Sequence, residues 1–98
     1  MYIFVREDLS LSQQIVQAGH ATFEIGTLHP ANTHSPHFVL LGAKTELKLL
    51  EIAEWLISHN VEFKMFYEPD ISSYTALATQ PMSGETRNKF KKFKLLGI

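Results

Sequence analysis

A chain of 98 residues, 45% hydrophobic and 19% charged, describes one folded domain of modest core size and excludes a disordered or fibrous chain. With no cysteine there is no disulfide, thiolate nucleophile or Cys-ligated metal, and the longest apolar runs, YIFV and FVLL, are far too short for a bilayer span or signal-peptide core; a cytoplasmic protein with no membrane partner is expected. The net charge of −1 hides an uneven layout, since residues 1–86 hold four basic and ten acidic side chains while residues 87–98 hold five basic and none acidic, a tail suited to a phosphate-bearing partner.

Tyr2 to Arg6 is rich in β-branched and aromatic residues and reads as a first strand, buried on both faces. Ser10 followed by Gln13 has the spacing of a capping box, so a helix is predicted to begin near Leu11. Ile15, Ala18, Gly19, Thr22, Phe23 and Gly26 recur at three-to-four spacing and form its predicted inward face. Gln13, Gln17, His20 and Glu24 form a polar line beside that face. His20 follows Gly19, which leaves one side of the imidazole unobstructed, and it is the candidate for acid–base work. A solvated helical histidine is the plainer reading of the same residue.

The two prolines and several turn formers of residues 28–37 end the helix and predict a loop. His29, His34 and His37 fall there, but no regular element fixes their spacing and no carboxylate lies among them, so neither a metal site nor a cofactor is expected. His37 to Leu41 reads as a second strand closed by Gly42. Thr45 to His59 reads as an amphipathic helix with Leu49, Leu50, Ala53, Leu56 and Ile57 inward, and Asn60 as its left-handed cap; Trp55 is expected to supply buried area. Val61 to Tyr67 alternates in the manner of an edge strand, Glu68 to Asp70 is a turn, and Tyr74 to Thr79 is a fourth strand stopped by Pro81. Ser83 is placed to cap a last helix running through Arg87, Lys89, Lys91 and Lys92, with Phe90, Phe93 and Leu96 inward. Strands alternating with helices give an α/β domain over residues 1–98.

Tyr2-Ile3-Phe4-Val5-Arg6 with Asp8-Leu9, then Gln17-x-Gly19-His20-Ala21, the Leu-rich helix 47–57, and Thr75-Ala76-Leu77-Ala78 with Pro81, together resemble the type 2 peptidyl-tRNA hydrolase family along nearly the whole chain. The ending, Lys91-Lys92-Phe93-Lys94-Leu95, is similar to its divergent branch of peptidyl-tRNA hydrolase domain-containing proteins. The resemblance implies a three-layer α/β/α fold around a four-stranded mixed sheet, a homodimer, and cleavage of the ester that joins a peptide to the tRNA 3′ ribose. His20 matches the family histidine of the first helix. The family lysine seven residues earlier is replaced by Gln13, a neutral donor in place of a charged one. Asp70 occupies the loop where the family has an aspartate, but that loop is shorter and lacks the family glycine and arginine; Thr75 stands where the family has a threonine.

These expectations make His20 or Asp70 the base and Thr75, Gln13 and backbone N–H groups the oxyanion donors. Gln17 lines the substrate side, and Arg87, Lys89, Lys91 and Lys92 are assigned to the phosphates of a tRNA or peptidyl-tRNA partner. The altered lysine and loop carry the competing expectation of a tRNA- or protein-binding module of the same fold without chemistry.

Overall fold

The apolar run after Met1 forms β1 (Tyr2–Arg6), with four of its five residues buried and Phe4 and Val5 fully so. In the computed structural model, which describes residues 1–29, 37–82 and 84–96, the chain continues through α1 (Leu11–Leu28), β2 (Val39–Ala43), α2 (Glu46–Ser58), β3 (Phe63–Glu68), β4 (Ser73–Thr79) and a short α3 (Glu85–Asn88). Tight 3₁₀ turns at Pro69–Ile71 and Lys89–Lys92 follow β3 and α3. The sheet order is β2-β1-β4-β3, with β1 parallel to β2 and antiparallel to β4, and β4 antiparallel to β3. Successive residues of β1 serve opposite layers. Ile3 and Val5 meet Ala21 and Ile25 of α1, while Tyr2 and Phe4 join the cluster built on Leu49 and Leu56 of α2. The result is a mixed four-stranded sheet between helical layers, the α/β/α arrangement expected of the chain. Among the described residues no helix is long and apolar enough to cross a membrane.

Both long helices start where the sequence pattern predicts, and each start is capped. The Ser10 hydroxyl accepts from the Gln13 N–H at 3.3 Å and the Thr45 hydroxyl from the Lys48 N–H at 3.2 Å. Asn60 is left-handed, with φ 57°, and Trp55 is half-buried against Phe90 and Phe93. The half of the capping box in which the Gln13 side chain reaches back is absent among the described residues.

Four predictions need correction. The inward face of α1 is Gln17, Ala21 and Ile25, so the helix is turned from its predicted orientation and Ile15 and Phe23 are 66% and 73% exposed. The cause is polar: Gln17 finds partners on two strands, which local apolar periodicity does not register. On α2 the same effect is milder, with Ile52 buried and Ile57 exposed. Gly42 does not close β2 but stays in the ladder opposite Val5. A Cβ there would come within 1.8 Å of Glu7 Oε1, so glycine lets the Glu7 side chain lie across the strand. Finally, the last helix breaks after Asn88 into the 3₁₀ turn, which drives Phe90 into the core, stacked on Tyr2 at 4.1 Å between ring centroids. Ser83, its predicted cap, lies outside the described residues.

Beyond that turn the chain covers the free edge of β2. Leu41 and Leu95 form an antiparallel bridge, and the Leu96 N–H donates to Leu40 O at 3.1 Å. An edge strand is thereby relieved of exposed donors and acceptors.

The turn of α1 is testable by stability. Ile25→Ala removes a fully buried side chain and should cost about 2–5 kcal/mol in urea unfolding, whereas Ile15→Ala should stay within about 0.5 kcal/mol of the parent. Equal costs would contradict the observed orientation.

Candidate functional site

The site is built around an irregularity in β4. Phe66 pairs with Ala76 and Tyr67 with Tyr74, so the ladder skips Thr75 and the register shifts there. Such a bulge re-aims a side chain. Thr75, which strict alternation would place with Leu77 on the α2 face, instead donates its hydroxyl to Gln17 Oε1 on α1 at 2.7 Å. Gln17 Nε2 in turn donates to Glu68 Oε2, at the end of β3, at 3.0 Å. Thr75 is fully buried and Gln17 nearly so, and no buried side-chain nitrogen or oxygen among the described residues is left without a partner. A chain of hydrogen bonds therefore locks α1 to both strands of the β3–β4 pair.

One turn along α1 from Gln17, the exposed His20 ring lies flat on Phe66, with centroids 4.4 Å apart and planes 3° from parallel. Among the described residues neither of its ring nitrogens makes a hydrogen bond. Its orientation comes from the aromatic stack. Gln13, a turn before Gln17 on the same helix, is exposed.

Asp70 is not part of this cluster as a side chain. It sits exposed in the 3₁₀ turn after β3, and its contribution is a backbone N–H donated to Glu68 Oε1 at 3.3 Å. The carboxylate that reaches Gln17 belongs to Glu68, which sequence reasoning assigned to a turn. A signal for it was present, because Phe66 and Glu68 are two apart on one strand and so share the face turned toward α1.

The start of β4 is held by Arg6. Its guanidinium donates to Ser73 Oγ at 2.9 Å and Tyr74 O at 3.2 Å, and forms a bidentate pair with Asp8 at 2.9 Å. The hydrogen bonds from Arg6 hold the Asp8 carboxyl below the usual carboxylate range, and the same pairing raises the Arg6 guanidinium. Across the sheet, Glu46 accepts from the Tyr74 N–H at 2.7 Å, so α2 also grips this strand end.

The basic tail does not act as one patch. Arg87 and Lys91 line a cavity with Tyr2 and Val39, at the amino ends of β1 and β2. Lys92 lies over the Trp55 ring at 4.4 Å, and Lys94 stands beside Gly42 near the carboxyl end of β2. Lys89 is exposed on the last turn. Of the loop histidines, His29 meets Glu62, and His34 lies outside the described residues. Among the described residues no three metal-ligating side chains come together.

A family model described as peptidyl-tRNA hydrolase PTH2 matches residues 1–96. The chain belongs to that family. No curated protein matches it. It is thus a peptidyl-tRNA hydrolase-like protein whose first helix and third and fourth strands converge on one polar wall. In this PTH2 member the wall is closed by Thr75, whose hydroxyl is given to Gln17.

Thr75→Val keeps the shape of the residue but strands Gln17 Oε1 in the interior, and should cost about 1–3 kcal/mol. Thr75→Ser keeps the donor and should recover most of that loss. The check is the urea midpoint of each variant at an unchanged m-value.

Proposed function

We propose that this chain hydrolyses the ester between a peptide and the tRNA 3′ ribose, with His20 receiving the proton of the attacking water. The observation that carries the reading is the His20 ring itself, held flat on Phe66, open to solvent, and one turn from the Gln17–Glu68 wall. The water oxygen adds to the ester carbonyl carbon as its proton passes to the imidazole. Collapse of the tetrahedral adduct breaks the bond to the ribose oxygen, and the imidazolium returns its proton to that leaving oxygen. Gln13 and backbone N–H groups serve the oxyanion. Thr75 acts through Gln17, and Glu68 adds a carboxylate to the wall where Asp70 lends only its N–H. A neutral amide at position 13 stabilises developing charge less than a lysine does, so turnover is slow.

One observation favours a second reading, a binding module without chemistry. Thr75 and Gln17 satisfy each other, and both Glu68 oxygens already accept hydrogen bonds, so the wall is closed on itself. Incubation with an N-acylated aminoacyl-tRNA separates the two. Hydrolysis above the buffer rate, reduced about 10²- to 10⁴-fold by His20→Ala, supports the enzyme; cleavage no faster than buffer rejects it in favour of the binding module.

A cytoplasmic location accords with this substrate. The homodimer is carried by the exposed apolar surface on and beside α1, where Ile15 and Phe23 of the helix and Phe38, just before β2, are 66%, 73% and 59% exposed. Sedimentation of the parent as a dimer and of Phe23→Glu as a monomer is expected; a monomeric parent would remove the dimer.

A further inference from the structure

We infer that the groove between the first two turns of α2 and residues 92–94 seats the phosphates of an RNA chain. The choice of RNA over another polyanion rests on the peptidyl-tRNA reading; the groove itself does not. Its volume is about 620 Å³, many times the roughly 30 Å³ share of one water molecule, so it suits a run of anionic groups better than a single small ion.

 The lining holds Lys44, Lys48, Lys92 and Lys94, four of the nine basic residues of the chain, against Glu7 and Glu51. Glu51 pairs with Lys48 at 3.4 Å, but both side chains are more than half exposed, so the pair is weak and readily exchanged for a phosphate. The Glu7 side chain lies against Gly42 at the floor. A groove with two net positive charges on a chain of net charge −1 is the place where a polyanion is drawn in.

Position joins this groove to the His20 site. Gly42 and Lys44 lie at the carboxyl end of β2, where ligands of open α/β sheets gather. One row crosses the sheet at that level: Ala43 pairs with Arg6, Arg6 donates to Ser73 Oγ, and Ser73 pairs with Glu68. Three strand spacings, about 14 Å, thus separate the groove side from the Gln17–Glu68 wall. A nucleic acid strand passing over this end of the sheet has its backbone against the lysines and its 3′ terminus at the wall. Arg87 and Lys91, at the opposite end, are outside that path.

The test measures binding of deacylated tRNA as a function of salt for the parent, for K44Q/K48Q/K94Q and for R87Q/K91Q, alongside hydrolysis of an N-acetylated aminoacyl ester on a short CCA-ended oligonucleotide. The groove variant should lose about tenfold or more in affinity at low salt and about two to three from the log–log salt slope, while the R87Q/K91Q control changes less than about twofold. The three substituted lysines are exposed, so the fold should survive and thermal melting checks that it does; E7Q gives an independent reading, since removing that carboxylate should tighten tRNA binding. Parent-like binding by the groove variant, equal losses in both variants, or competition by polyglutamate as effective as by tRNA would overturn the inference. Hydrolysis of the short ester reports on the His20 reading separately, since it can survive loss of the groove and can fail while groove binding persists.

Discussion

Burial of one amide side chain constrains much of this structure. Gln17 faces the sheet from the middle of α1, and a glutamine in that position is tolerated only if its carbonyl and its NH₂ both find partners. The carbonyl is met by Thr75, and the NH₂ by Glu68. For Thr75 to reach α1 at all, β4 must carry a bulge, and for the bulge to hold, its strand must be anchored on either side of it. Arg6 and Glu46 do so at the start of β4, and the regular pairing of Ala76 through Thr79 does so beyond. The orientation of α1, the irregular strand and the hydrogen bonds that bridge them are therefore parts of one solution.

That solution also explains the exposure of His20. With Gln17 turned inward, a residue three positions later lies on the flank of the helix, where it meets the outer strand β3 instead of the sheet centre. Phe66 receives it as a flat support. The opposite flank of α1 is left with Ile15 and Phe23 uncovered, so the same rotation that presents the imidazole also creates an apolar surface.

Local signals made much of this fold legible. The bounds of β1, the Ser10 cap, the start of α2, the left-handed Asn60 and the edge position of β3 each depend on residues close together in the chain. What escaped depends on distant partners. The Gln17–Thr75 bond spans 58 residues and the Gln17–Glu68 bond 51, and no periodicity within α1 encodes either. Gly42 looked like a strand end because its function is to admit Glu7, a neighbour only once β1 and β2 have paired. Asp70 drew attention because it occupies the loop where the family has an aspartate, yet strand parity assigns the inward position to Glu68.

The replacement of a lysine by Gln13 has a further consequence for how charge is arranged. A lysine on the exposed flank of α1 would add a cation from the helix side; with Gln13 there, the cation on this face is Lys64, exposed on β3 and two residues from Phe66 on the same strand face. Further positive charge sits across the sheet, on Lys44, Lys48, Lys92 and Lys94. Those side chains are too far, by about the width of the sheet, to stabilise an oxyanion at His20, since between solvent-exposed charges a separation beyond roughly 8–10 Å is largely screened. On the reading proposed above, the attraction of an anionic substrate and the chemistry performed on it fall to different faces, and α1 brings only a neutral amide to the reacting centre.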